Sequence, residues 1–137
     1  MLRKYLSVLA DKASVSTTME PGIKFAKHMG QIISQLEYSK VIGLSMYPMT
    51  RTRPDIAFAV GKLSRFTSNP SPLYWMAIRR VLRCLLRTKD YGIAYGGEPP
   101  ILEGYSDASW ITNEEDNSST SGWVFVYGGG VISWSSK

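Results

Sequence analysis

The chain has 137 residues, of which 44% are hydrophobic and 20% charged, so its composition is that of one globular domain and excludes a disordered chain. A single cysteine, Cys84, excludes an internal disulfide framework, and no apolar run approaches the roughly 18 residues that a membrane span needs. Residues 1–90 carry a net charge of +10 and residues 91–137 a net charge of −5. The basic part is typical of a polyanion-binding surface, although a solvated lysine-rich face looks the same.

The first ten residues begin like a secretory signal, with two positive charges ahead of an apolar run. That run stops at Asp11, which makes it shorter than the usual h-region of about 7–15 residues. We therefore favour a short amphipathic helix with Leu2, Leu6 and Leu9 on one face. Residues 13–22 are rich in small polar residues and include a Pro-Gly pair, which predicts an extended loop.

Two helices are predicted in the middle of the chain. The first runs from about residue 35 to residue 47, and Pro48 should end it because proline has no amide hydrogen and clashes with the preceding turn. The second begins with Thr52 as N-cap, Pro54 in the first turn, and Asp55 complementing the helix dipole.

A third helix is predicted to begin at Ser71 and to end near residues 89–90. Its predicted buried positions are Trp75, Ile78, Leu82 and Leu85. The opposite face mostly carries Arg79, Arg80, Arg83 and Arg87. Cys84 lies beside the core positions and is expected to be a small buried hydrophobic residue.

The pattern changes to short runs of aromatic and β-branched residues at 93–95, 102–107, 123–127 and 131–134. Gly129-Gly130 is the predicted hairpin connection between the last two strands. Helices followed by strands indicate an α+β fold, with a helical N-terminal segment and an antiparallel β-meander after it.

Asp107 is the most interesting carboxylate, because it stands at the end of a predicted apolar strand, where an acidic residue can be a metal ligand. The alternative is a turn residue that bonds to its own backbone. The consecutive carboxylates at 114–116 are expected to be simply solvated. His28 and Cys84 lie in unrelated segments, so a His/Cys metal site or nucleophile pair is not expected.

Short stretches in a fixed order connect the sequence to a known family. They include Thr-Arg-Pro-Asp-Ile at 52–56, Thr-Lys-Asp-Tyr-Gly at 88–92 and Gly-Tyr-Ser-Asp at 104–107. Further matching stretches are 15–17, 69–75, 80–83, 119–122 and 132–134. Together they resemble the Pol polyprotein of copia-type retrotransposons.

The resemblance implies two parts. Residues 1–95 resemble the C-terminal part of the reverse transcriptase, and residues 100–137 resemble a truncated ribonuclease H-like β-meander. In that family the aspartate matching Asp107 is the first metal-binding carboxylate. The reverse transcriptase's Tyr-x-Asp-Asp motif is absent, and the later ribonuclease H carboxylates would lie beyond Lys137. We therefore expect no enzymatic activity, metal or cofactor, with Asp107 as a vestigial ligand only.

A second resemblance concerns Arg80-Val81-Leu82-Arg83, which fits the Arg-x-Leu-Arg pattern of the RxLR effectors that oomycete plant pathogens secrete into host cells. A basic helix also produces this pattern easily. The resemblance implies a non-enzymatic effector that is secreted and then acts in the nucleus or cytoplasm of a host cell. Its partner would be an unknown host plant protein, and its effect the suppression of cell death and immunity.

Two other interpretations stay open. One is a catalytically dead reverse transcriptase and ribonuclease H remnant with weak, non-specific nucleic-acid binding through its basic segment. The other is a translated fragment with an incomplete core and no function.

Overall fold

The computed structural model describes residues 18–19, 34–96, 100–113 and 118–137. Over these residues, three α-helices precede a three-stranded antiparallel sheet, which confirms the predicted α+β class. The helices are α1 (Gln35–Arg51), α2 (Ala57–Ser64) and α3 (Pro72–Arg87), with a 3₁₀ turn at Pro54–Ile56 before α2. The strands are β1 (Leu102–Asn113), β2 (Ser118–Tyr127) and β3 (Gly130–Ser136). The expectations for residues 1–10, His28, residues 114–116 and most of 13–22 lie outside the described residues.

Helix α1 continues through Pro48 to Arg51, so the prediction that Pro48 ends it is wrong. Proline removes one amide donor, but its own carbonyl still accepts from the amides of Thr52 at 3.0 Å and Arg53 at 2.8 Å. These two hydrogen bonds complete the last turn of α1 after the proline. Thr52 is the C-cap of α1 and not the predicted N-cap, since Arg53 stands at the start of the 3₁₀ turn.

Helix α3 begins where the sequence predicts. The Ser71 hydroxyl accepts from the amide of Tyr74 at 3.4 Å, and Pro72 occupies the first helical turn. The helix ends at Arg87, where both the amide and the hydroxyl of Thr88 donate to the carbonyl of Cys84, at 3.0 and 2.8 Å. Local capping chemistry thus sets both ends of this helix.

The hydrophobic core lies among the three helices. Its most buried members are Tyr38, Val41, Ile56, Ala59, Val60, Leu63, Tyr74, Ile78, Val81 and Leu82. The hydroxyl of Tyr38 donates to the carbonyl of Leu63 at 2.9 Å, so this buried polar group is satisfied, and burial raises the pKa of Tyr38. Trp75 is only partly buried and packs against the core from outside.

The sheet is a meander in the order β1-β2-β3. The turn between β2 and β3 uses Gly128 and Gly129, with φ of +54° and +75°, one residue earlier than predicted. Two successive positive φ values favour glycine at both positions and match a two-residue hairpin turn. The predicted strand at 93–95 is not a strand. That segment instead contacts β3 through the Tyr95 hydroxyl, which donates to the carbonyl of Val131 at 2.9 Å.

Strand β3 joins the sheet to the helices. The indole Nε1 of Trp134 donates to the carbonyl of Met49 in α1 at 2.7 Å, and β3 also contacts α2. Strand β1 lies at the opposite edge, where every side chain from Leu102 to Ser109 is exposed. Across the described part of the chain, no helix is both long and apolar enough to cross a membrane.

Candidate functional site: the α3 motif and the exposed strand

The Arg80-Val81-Leu82-Arg83 motif is part of the continuous helix α3. Val81 is fully buried and Leu82 is 2% exposed, so the middle of the motif belongs to the core. A segment held in this way can leave the helix only if the core face opens.

Both arginines of the motif were expected to be exposed, and both are only partly exposed. Arg80 borders the buried arc of α3, which is wider than predicted because Tyr74, Ala77 and Val81 also lie in it. Arg83 lies opposite that arc, yet its Nε is buried without a hydrogen-bond partner among the described residues. Arg79, Arg83 and Arg87 follow one another at i, i+4 and i+8, which produces a basic stripe along the helix.

Asp107 lies in the middle of β1 and not at the end of a strand, because β1 continues to Asn113. It pairs with Gly122 across the sheet, and its side chain is exposed. Glu103 lies on the same face but is four residues away, about 13 Å along a strand. Within the described ranges, no group of three or more His, Cys, Asp or Glu side chains converges on one point. The assignment of Asp107 as a vestigial metal ligand stays a prediction.

Arg53 and Asp55 form an ion pair that the sequence alone does not predict. The guanidinium donates to the carboxylate through Nε at 2.8 Å and Nη2 at 2.6 Å, and its Nη1 donates to the carbonyl of Thr88 at 3.0 Å. The Arg53 side chain is 7% exposed and that of Asp55 is 48% exposed. The hydrogen bonds from Arg53 lower the pKa of Asp55. Through these hydrogen bonds, the pair connects the turn between α1 and α2 to the C-terminal end of α3 and so stabilises the fold.

An aromatic face covers one side of the sheet, formed by Trp123, Phe125 and Tyr127 at alternate positions of β2. These residues are 41%, 41% and 45% exposed. The Trp123 and Phe125 rings lie 5.5 Å apart between centroids, tilted by 57°. Opposite Phe125 stands Gly104, where a Cβ would come within 2.7 Å of the ring, so glycine lets Phe125 lie over β1. The alternation of aromatic residues in 123–127 is the signal that could have revealed this face.

The sequence matches no protein-family model, and no solved structure matches it. Among curated proteins it is 39% identical over 130 residues to a retrovirus-related Pol polyprotein from transposon TNT 1-94 of Nicotiana tabacum, covering 90% of this chain and 10% of that protein. The Pol polyprotein from transposon RE2 of Arabidopsis thaliana is 38% identical over 125 residues, covering 90% and 8%. The chain thus spans about a tenth of the Pol polyproteins it matches.

A shorter relative matches over most of its own length. Secreted RxLR effector protein 161 of Plasmopara viticola is 45% identical over 107 residues, which cover 77% of this chain and 75% of that protein. Both resemblances inferred from the sequence are therefore confirmed. The chain belongs to the family of retrotransposon Pol-related chains that includes secreted RxLR effector protein 161.

Proposed function

We propose that this chain is a secreted, non-enzymatic RxLR-type effector derived from a copia-like Pol fragment. It acts by binding a host protein inside plant cells and suppresses cell death there. One observation carries this proposal: the chain covers 75% of secreted RxLR effector protein 161 but about a tenth of the Pol polyproteins. Within the described residues, no three carboxylates lie together, whereas two-metal hydrolysis needs several carboxylates around two cations about 4 Å apart.

The structure supports a binding role through its surface chemistry. The helical part presents the arginine stripe of α3, and the sheet presents the aromatic face together with an exposed outer strand. Exposed apolar surface rimmed by polar residues is typical of interaction sites. Asp107, by contrast, has Glu103 as its nearest carboxylate along β1, too far away to share one cation with it.

The test is a leaf cell-death assay with the chain produced directly inside plant cells. We expect fewer dead cells after a standard elicitor than in leaves that produce an unrelated protein of similar size and net charge. Protein abundance is measured in the same leaves. Equal cell death at equal abundance would contradict the effector proposal.

Nucleic-acid binding is a second candidate, favoured by the arginine stripe of α3 and the +10 net charge of residues 1–90. Such binding would be non-specific and sensitive to salt, because neutralised phosphates release counterions. For six or more contacts, affinity for duplex DNA should fall by roughly 10³ or more between 50 and 200 mM salt. An affinity that stays flat over this range would exclude a counterion-release mechanism.

A further inference from the structure

Strand β1 has an unpaired edge. It pairs with β2 on one side, and no described residue pairs with it on the other. Proteins usually protect such an edge with charged side chains, especially lysine, or with proline, a bulge or a short strand, and the charged side chains of β1 are Glu103 and Asp107. β1 has 12 residues and contains neither lysine nor proline, and its irregularity of pairing falls after Ser109. Among the described residues, no strand pairs with the edge from Leu102 to Ser109, so its backbone groups are available to another strand.

The hydrogen bonds of β2 show which backbone groups of β1 point outward. Ser121 exchanges two hydrogen bonds with Lys137 on the β3 side, at 3.1 and 2.9 Å. Backbone direction alternates along a strand, so Gly122 and Val124 direct their amides and carbonyls toward β1. Their partners there are Asp107 and Tyr105. Ser106 lies between these two partners and Ala108 follows Asp107. Both residues therefore direct their amides and carbonyls to the open edge.

The two sides of this edge differ in chemistry. On the side of the sheet that carries Trp134, β1 presents the carboxylates of Glu103 and Asp107 with the exposed ring of Tyr105 between them. On the side of the aromatic face it presents Leu102 and small uncharged residues. β1 contains no basic residue. A second copy of the chain would bring further carboxylates to the edge, and like charges on facing strands are destabilising.

We propose that the open edge of β1 binds an extended segment of a partner protein in which basic and small apolar residues alternate. The segment adds a fourth strand to the sheet, with its basic side chains beside Glu103 and Asp107 and its apolar side chains beside the aromatic face. This inference rests on the proposed function, since it names the surface and the partner chemistry of a chain that acts by binding.

The probe is a fluorescent eight-residue peptide of alternating lysine and valine, added to the purified full chain and followed by anisotropy. Its controls are the same peptide with glutamate in place of lysine, and one in which lysines and valines come in pairs. All three peptides can form the same backbone hydrogen bonds, so the difference reports side-chain charge and alternation. We expect the alternating basic peptide to bind about tenfold more tightly than either control, because only its lysines all lie beside Glu103 and Asp107. The chain's own net charge of +5 opposes non-specific attraction of this peptide. Equal affinities for all three would overturn the proposal.

A pair of variants tests the backbone contact. Ser106→Pro removes an outward amide, which an edge strand tolerates, whereas Ser106→Ala keeps that amide. We expect the proline variant to weaken peptide binding about tenfold and the alanine variant to change it less than about twofold. Circular dichroism shows whether both variants fold.

If Ser106→Pro does not fold, the same contact is tested on the unchanged chain. N-methylation of the peptide amides that face β1 should weaken binding as much as Ser106→Pro is expected to. N-methylation of the alternate amides, which face away from β1, should leave the affinity unchanged. Unchanged affinity in both tests would overturn strand addition. A dimer that sedimentation detects in the wild-type chain but not in Ser106→Pro would show a second copy as the occupant and likewise overturn the proposal. Peptide binding without suppression in leaves would refute the effector function and leave this site standing.

Discussion

Asp107 is an exposed carboxylate in the middle of β1, and Glu103 on the same face is about 13 Å away. A single carboxylate binds magnesium weakly, because this ion gives up its water reluctantly. We expect no cleavage of an RNA–DNA hybrid by the purified chain with magnesium or manganese. Asp107→Asn should give the same result. Cleavage that disappears in Asp107→Asn would show a working metal site and contradict the prediction.

The Arg53–Asp55 pair makes a prediction about stability and pH. Hydrogen bonds from Arg53 lower the pKa of Asp55 in the folded chain, so the unfolded chain binds more protons in acid. The stabilisation is complete above the ordinary carboxyl pKa of about 4 and is lost as the pH falls through the lower folded pKa. Asp55→Asn should reduce the free energy of unfolding at pH 7 by about 1–2 kcal/mol, a modest value because solvent reaches the half-exposed carboxylate.

Urea unfolding at pH 7 and at pH 3 measures this loss. The difference between the wild-type chain and Asp55→Asn should shrink at the lower pH. Asp90→Asn is the matched control, because Asp90 is exposed just after α3. It should change stability little at either pH. A difference for Asp55→Asn that stays the same at both pH values would mean that the carboxylate charge does not stabilise the fold.

At the scale of the element, α3 combines a core helix with the Arg-x-Leu-Arg pattern. Leu82→Ala should destabilise the fold by about 2–5 kcal/mol because Leu82 is almost completely buried. It should also weaken death suppression in leaves through low abundance. Arg80→Ala combined with Arg83→Ala should leave suppression unchanged at normal abundance. Loss of suppression in that double variant at normal abundance would show that the arginines contact a partner.

The elements that the sequence predicts well are those fixed by local chemistry. Ser71 and Pro72 start α3 because an N-cap and the first helical residue need no distant partner. Pro48 does not end α1 as predicted, since its own carbonyl accepts from the amides of Thr52 and Arg53. The role of Arg53 is not predictable locally, because it bonds Thr88, 35 residues further along the chain.

The candidate surfaces also combine features that the local sequence predicts with features that depend on distant residues. The sequence identifies Asp107 and the arginine motif as candidate residues. It does not show how exposed their side chains are, because exposure depends on residues that the fold brings next to them. The width of the buried arc on α3 decides how far Arg80 is covered. The pairing of β1 with β2 decides that Asp107 stands in mid-strand. The open edge of β1 has no local signature, because it depends on which strand lies next to which.

At the scale of the whole molecule, the core lies among the helices, and the sheet is attached to them through β3. Over the described residues, the aromatic face and both faces of β1 remain exposed. An element with few buried apolar contacts opens at lower free energy than the core. Stability should therefore decline from the helices through β3 to β1.

Hydrogen exchange can measure this gradient. Amides of α3 around Ile78 and Leu82 should exchange most slowly, and amides of β1 that point to its open edge, such as that of Ser106, should exchange fastest. Trp134→Phe removes the indole donor that bonds the carbonyl of Met49 at 2.7 Å, so it should cost about 1 kcal/mol. The loss should appear as faster exchange in β3 and β2, with the α3 amides little changed. Faster exchange by the same factor in α3 and β3 would show that helices and sheet open as one cooperative unit, and would contradict the gradient.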